Sequence, residues 1–136
     1  MNTFILHLQD TMKYERIEHV VSFIGEDASG SFGIMAGHER MMASLIFGLA
    51  SFRVMDQPWQ YMAIPGALIY FTNNELVLNT RRFLRGDDYE IMSSTLQKQL
   101  LAEEEELQIV KRSLHRMEEE MLKRLWKIGR TKERLL

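Results

Sequence analysis

The segment LIYFTNNELVLNTRRFLRGDD, residues 68–88, contains a predicted hairpin and the point at which the sequence changes character. Leu76 and Leu78 recur at alternate positions, and a strand with this period of two buries one of its faces. Asn73 and Asn74 stand between two apolar runs and tolerate the positive φ that a two-residue hairpin turn requires. The segment therefore predicts an antiparallel hairpin, followed after Gly86 by a different type of structure.

The residues before this segment also have a strand-like pattern. Phe4, Leu6 and Leu8 alternate, and a second pair of apolar runs flanks a turn at residues 56–58. Seven of the eight glycines and both prolines lie before residue 87. Many short strands separated by frequent turns predict a sandwich or a barrel. Residues 1–86 are therefore predicted to be an all-β domain.

After Gly86 the sequence becomes helical in character, and residues 87–136 are predicted to be an α-helical domain. Residues 87–128 contain no glycine or proline and consist mainly of good helix formers. Asp87 or Asp88 is the expected N-cap. Apolar residues recur three and four positions apart, as in one face of a helix: Leu96, Leu100, Leu107, Val110, Leu114, Met117 and Met121.

Charge bears on whether this region is one long helix or two helices folded into a hairpin. Residues 87–106 have a net charge of −6 and residues 107–136 a net charge of +5. A hairpin that breaks near the acidic run 103–106 would place these segments side by side, which favours the hairpin. Exposed ion pairs contribute only about 0–1 kcal/mol each. With no strong helix breaker at the corner, a single helix of about 40 residues stays the alternative.

Composition narrows the classes of function. The 136 residues include no cysteine, which excludes disulfides, thiolate metal sites and thiol nucleophiles. The N-terminus lacks the basic and apolar regions of a signal peptide, and the longest apolar run, residues 41–50, is far shorter than a membrane span. We expect no direct membrane insertion. A pI near 6.1 argues against nucleic-acid binding.

Catalytic, cofactor and metal sites find little support in the sequence. His38 beside Glu39 has the composition of an acid/base pair, but a surface contact explains it better. The other three histidines are scattered, and no phosphate-binding loop of the Walker type is present. No nucleophile, base and orienting group can be assembled, so we expect no enzymatic activity, no cofactor and no metal.

Three stretches in register resemble the epsilon subunit of bacterial F-type ATP synthases, which is called delta in mitochondria. The first stretch, GSFGIMAGH at residues 30–38, is similar to a loop of the family. The second, residues 61–78, is similar to the family's hairpin, with Gly66 at the bend. The third, RGDD at residues 85–88, is similar to the segment that ends the sandwich and begins the helices. The pattern is also similar to members from an alternative type of bacterial ATPase. The resemblance implies a ten-stranded β-sandwich followed by two α-helices.

This resemblance implies a non-catalytic rotor subunit of the central stalk, on the cytoplasmic face of the bacterial cell membrane. The sandwich would bind the gamma subunit and the c-ring, so that torque passes between the ring and the catalytic head. The helices would lie folded, or extend to contact the catalytic alpha and beta subunits and slow ATP hydrolysis. The residues implied are His38, Met42 and Leu45 for gamma; Glu26, Ser31 and Phe32 for the c-ring; and Arg112, Arg116, Lys123 and Arg124 for regulation.

The sequence departs from the family at three positions. Ala36 stands where the loop usually has proline, and Ser31 where it often has an acidic residue. Ser93 stands in place of the arginine of the family's ATP-binding motif, so we expect no tight ATP binding. A different class of protein, a free-standing adaptor that dimerises through a coiled-coil tail, is the alternative function.

Overall fold

The structure of the protein, a computed structural model, describes the backbone of residues 2–135 and the side chains of residues 2–129. The described strands are β1 (Phe4–Gln9), β2 (Tyr14–Asp27), β3 (Gly30–Met35), β4 (Met41–Leu45), β5 (Gly48–Val54), β6 (Trp59–Ile64), β7 (Ala67–Thr72), β8 (Glu75–Thr80) and β9 (Leu84–Gly86). The helical elements are α1 (Tyr89–Thr95), a π-helical turn (Leu96–Leu100) and α2 (Leu101–Leu135).

Strand β2 connects the two halves of the β structure. The strands follow the order β4-β7-β8-β1-β2-β5-β6-β9, with β3 paired to β2. The first half of β2 pairs with β1, and its second half pairs with β3 and β5. Between these halves His19 has a φ of 60°. The register of β2 shifts here against both neighbouring strands, against β1 between Ile17 and Val20 and against β5 between Val20 and Ser22. This irregularity lets one 14-residue strand take part in both halves of the sheet.

The core forms where these two halves face each other. Gly25 in β2 lies against Leu45 in β4, although these strands are far apart in the sheet order. One continuous apolar cluster contains side chains from both halves. Its largest members are five phenylalanines, which are almost entirely buried: Phe4, Phe23, Phe52, Phe71 and Phe83. The strands therefore enclose one apolar layer between the two halves of the sheet.

The β prediction for residues 1–86 is confirmed in character and in several details. The hairpin at Asn73 and Asn74 joins β7 to β8, and both residues have the predicted positive φ, 50° and 60°. The turn at residues 56–58 joins β5 to β6. Nine strands are described where ten were expected. The number of strands is lower because β2 is one continuous strand that takes part in both halves of the sheet.

Asp10 fixes the turn between β1 and β2 to the segment that leads into β9. One carboxylate oxygen accepts hydrogen bonds from the backbone N–H groups of Met12 and Lys13, both at 2.8 Å, and the other accepts from Phe83 at 3.3 Å. Burial raises the pKa of the Asp10 carboxyl. These three hydrogen bonds and the Lys13 ammonium outweigh that effect, so the pKa lies below its ordinary value.

The first helical residues pack onto the strands. Asp88 is the N-cap of α1, and its side chain accepts from the backbone N–H of Ile91 at 3.1 Å, as the sequence predicted. Met92 and Leu100 are buried with Ala63 of β6 in a second apolar cluster. Accordingly, the residues up to Leu101 form one compact unit and those from Ala102 onward form another. The division into functional domains after residue 86 stays a prediction.

Helix α2 is continuous over its 35 residues, and it passes through the acidic run 103–106 without a turn. Leu96, the first residue of the π-helical turn, and Leu101, which follows it, both have right-handed helical φ and ψ. The structure therefore contains the single-helix alternative and not the favoured hairpin. Charge attraction between exposed segments is weak, whereas breaking a helix made of good helix formers has a direct cost.

Gly25 supplies a first test of the core. A Cβ atom at this position would lie 2.9 Å from Leu45 Cδ2 and 3.1 Å from Phe23 Cε1, so alanine requires both side chains to move. We expect Gly25→Ala to lower the free energy of unfolding by about 1–3 kcal/mol in urea titration. The matched control is Gly48→Ala, where nothing lies within 4 Å of the added atom. Equal stability of the two variants would contradict the close contact between the sheet halves.

Asp10 supplies a second test, through pH. Because its folded-state pKa is lowered, its contribution to stability is present above the unfolded pKa and is lost as pH falls through the folded pKa. Asp10→Asn should lower the free energy of unfolding by about 1 kcal/mol near neutral pH, because asparagine cannot accept hydrogen bonds on both sides. Urea titrations down to pH 2 should show this difference shrinking. A constant difference over this range would exclude the carboxylate as its source, and Asp56→Asn on an exposed turn is the control.

Candidate functional site

A partly apolar surface covers the outer side of β4 and β7. Met42 and Tyr70 are cross-strand neighbours, as are Ser44 and Leu68, and the alternation of each strand points these four side chains away from the core. Met42 is 64% exposed and Leu68 is 48% exposed. We call these four residues the β4–β7 face. Such exposed apolar groups, grouped on a rigid sheet, are typical of a surface that binds another protein.

Arg40 adds a positive charge at the border of the β4–β7 face. Its Nε donates a hydrogen bond to the Tyr70 hydroxyl at 3.1 Å. This bond and a further one from Thr72 lower the pKa of Tyr70. The arrangement holds the phenol ring in place on the face and offers a guanidinium to acidic groups of a partner.

The loop after β3 is held against the same sheet. The backbone N–H of Gly37 donates to the Asn74 side-chain oxygen at 2.9 Å, and Gly37 has a φ of 78°. His38 follows it, exposed, with its ring 5.9 Å from the Phe71 ring in an edge-on arrangement and its Nδ1 2.8 Å from the Glu39 carbonyl oxygen. His38 therefore has a defined position beside β7, but its hydrogen bond is to the backbone and not to a Glu39 carboxylate.

The three residues predicted for gamma binding do not share one surface. Met42 lies on the β4–β7 face and His38 lies in the neighbouring loop, whereas Leu45 is only 4% exposed and belongs to the core. Met42 and Leu45 are three positions apart, so a strand must direct them to opposite faces. The sequence reasoning missed Leu68 and Tyr70, which the pairing of β7 with β4 places next to Met42 and Ser44. Alternation along β7 indicates that Leu68 and Tyr70 share one face of that strand, but the pairing that brings them beside Met42 is not evident from the sequence.

The residues predicted for the c-ring lie at the turn between β2 and β3. Glu26 and Ser31 are a cross-strand pair, and both are exposed. Phe32 lies opposite Gly25 and is partly buried against the core. The turn is ordered by Asp27, whose carboxylate accepts from the Ser29 hydroxyl at 2.6 Å and from the Ser29 backbone N–H at 2.8 Å. These hydrogen bonds lower the pKa of Asp27, so a fixed negative charge stands beside Glu26.

The regulatory residues predicted on the helix are all exposed. With 3.6 residues per turn, Arg112, Arg116 and Lys123 fall on one side of α2, and Arg124 lies toward a neighbouring side. His115 Nε2 lies 3.0 Å from Glu119 Oε1, one turn away on the same helix. Glu119 lies on the same side as the three cations, so this exposed helix face is basic in net charge.

Other kinds of site are not evident in the described part of the chain. Among the residues that the structure describes, no three histidine, aspartate or glutamate side chains are arranged to hold a metal ion. Ser93 lies in α1 and is partly buried. None of the described helices has a stretch long and apolar enough to cross a membrane.

Comparison with solved structures agrees with this architecture. A chain of the mitochondrial ATP synthase of Euglena gracilis, from a structure of OSCP, F1 and the c-ring, superposes with a TM-score of 0.58 at 19% identity, over 71% of this chain and 62% of that one. A chain from the central stalk and c-ring of the Tetrahymena thermophila mitochondrial ATP synthase gives a TM-score of 0.52 at 13% identity, over 59% and 64% respectively. At these identities the likeness concerns the fold.

Sequence comparison identifies the family. The ATP synthase epsilon chain 2 of Cereibacter sphaeroides is 32% identical over 83 residues, which are 60% of this chain and 57% of that relative. The matched region therefore spans less than two thirds of the length of these relatives. Residues 6–86 match the family described as ATP synthase, delta/epsilon chain, β-sandwich domain. This protein therefore belongs to the delta/epsilon chain family of ATP synthases.

Proposed function

We propose that the protein is a non-catalytic central-stalk subunit of an F-type ATP synthase, which links the gamma subunit to the c-ring and transmits torque between them. The observation that supports this most directly is the family match of residues 6–86, which include nearly all of the described strand residues. A rigid β body with two separate exposed surfaces suits a part that must bind two partners at once. As a peripheral subunit, it would lie on the cytoplasmic face of the bacterial cell membrane.

Gamma would bind the β4–β7 face. Met42 and Leu68 supply apolar area that is exposed in the isolated chain, and the flanking residues Arg40 and His38 supply polar contacts at the border. An apolar centre with a polar border is the usual composition of a protein interface. Leu45 would support this face from the core and would not touch gamma, because its side chain is buried.

The c-ring would be contacted by the turn between β2 and β3. Glu26 and Asp27 give this turn a negative charge, and the hydrogen bonds of Asp27 keep it in one conformation. Ser31, opposite Glu26, contributes a hydroxyl in place of the family's frequent carboxylate. Polar loops of the ring that carry basic residues would be the complementary partner.

Helix α2 would regulate ATP hydrolysis. Its basic face, formed by Arg112, Arg116 and Lys123 with Arg124 beside it, suits the acidic groups of catalytic alpha and beta subunits. Contacts of this kind are individually weak and screened by salt. A brake built from them would be reversible, as a regulatory contact must be.

The proposed gamma contact is tested by Met42→Glu. A charge placed in the apolar centre of the interface, with loss of the methionine contact, should weaken binding of the purified gamma subunit at least tenfold in a titration. Met12→Glu is the matched control, because Met12 is 90% exposed in the turn between β1 and β2, away from the face. Equal affinities of the two variants would exclude the β4–β7 face, and failure of the native chain to bind gamma would contradict the proposed function.

The proposed brake is tested in the assembled complex. The double variant Arg112→Glu, Arg116→Glu retains good helix formers and reverses two charges of the basic face. We expect the inhibition of ATP hydrolysis by this subunit to weaken about threefold to tenfold. A control with the same change of charge, Arg53→Glu with Lys98→Glu, should leave inhibition as it is. Inhibition that is insensitive to the first variant and to salt would contradict an electrostatic brake.

A further inference from the structure

An apolar stripe runs along α2, separate from its basic face. Seven apolar residues fall within about 80° of the helix circumference at 3.6 residues per turn. Six of them are more than half exposed and Leu107 is partly exposed; the seven are Leu107, Val110, Leu114, Met117, Met121, Leu125 and Ile128. Their spacing of three and four residues is that of a coiled-coil seam. The basic face formed by Arg112, Arg116 and Lys123 lies on the opposite side of the helix.

The charges along α2 form four blocks of alternating sign. Residues 102–106 have a net charge of −4, residues 111–116 of +3, residues 118–120 of −3 and residues 123–127 of +3. When two copies of the helix lie antiparallel, the first block faces the fourth and the second faces the third. When two copies lie parallel and in register, every block faces its own like charge. A staggered parallel pair would not close on itself and would continue into a chain of molecules.

The seam and the charges select the same antiparallel register. With Val110 of one copy opposite Met121 of the other, Leu114 lies opposite Met117, so apolar residues meet across the centre. In this register Glu106 comes level with Arg124 on one side of the seam. On its other side Lys111 comes level with Glu118. Because the pairing is twofold symmetric, each of these opposite-charge pairs occurs twice.

We propose that α2 docks onto α2 of a second copy of this chain, as an antiparallel two-helix coiled coil in this register. The occupant is a second copy because the helix is complementary to itself in both apolar spacing and charge. This inference goes beyond the proposed function, since it concerns the subunit outside the rotor. In this register the apolar pairing runs from Leu107 to Leu125, less than three heptads, and Ile128 comes level with Glu103, so the dimer is weak and depends on concentration. The basic face remains outside the dimer.

Cysteine cross-linking tests whether the two helices run antiparallel. The native chain has no cysteine that could form a competing disulfide. In the proposed register residue 110 faces residue 121, whereas the two copies of residue 110 lie about 16 Å apart along the axis. A mixture of Val110→Cys and Met121→Cys chains should therefore oxidise to a disulfide-linked pair of unlike chains. Each variant alone should cross-link little. Efficient cross-linking of either variant alone would overturn the antiparallel assignment.

Charge reversal tests the register, with sedimentation equilibrium of the full chain as the measurement. Lys111→Glu and Glu118→Lys should each weaken the dimer about tenfold, because each places like charges opposite each other twice. The double variant should recover to within about threefold of the native chain, since the pair is then restored with its signs exchanged. A native chain that stays monomeric at every concentration would overturn the proposal, and so would a double variant weaker than both single ones. Neither result bears on gamma binding.

Discussion

The mutual burial of the inner faces of the two sheet halves holds the β unit together, and the course of β2 makes it possible. This strand pairs with β1 up to Val20, and with β5 and β3 from Val20 onward. Phe23 and Gly25 then point into the layer between the halves, where the absence of a side chain at Gly25 leaves room for Leu45. The inner faces of both halves are buried in this contact. Recognition must therefore rest on the outer faces, the turns and the helix.

The outer features share a common construction, in which a side chain with a possible recognition role is held by a neighbour. Arg40 holds the Tyr70 hydroxyl, and Ser29 holds the Asp27 carboxylate. Such bonds reduce the number of conformations that a partner has to select, and so they lower the entropic cost of binding. The proposed gamma and c-ring contacts both benefit from this order, although their chemistry differs: one surface is largely apolar and the other is acidic.

Local signals in the sequence predicted much of this fold. The Asn73-Asn74 hairpin and the Asp88 cap follow from backbone preferences of individual residues, and the β character of residues 1–86 follows from alternation. The charge pattern favours a hairpin, but the helix propensity of residues 101–135 is the stronger effect, and α2 is continuous. Features that depend on distant pairing were beyond reach: the neighbours of Met42 across β7, and the packing of Met92 and Leu100 on Ala63. Leu45 lies in the core and not on the predicted gamma-binding surface, because its spacing of three from the outward-facing Met42 places it on the other face of β4.

The pairing of β1 with β8 has a consequence for how the chain reaches this structure. The two strands are parallel, with Ile5 beside Glu75 and Gln9 beside Asn79, so the first strand is completed by one of the last. Contacts between residues so distant in sequence slow folding, because a long loop must close before they form. As the chain leaves the ribosome, β1 has one edge without its partner until β8 has emerged. A nascent chain that stops before Glu75 therefore exposes an open strand edge and much of its apolar layer, which makes it a natural substrate for chaperones.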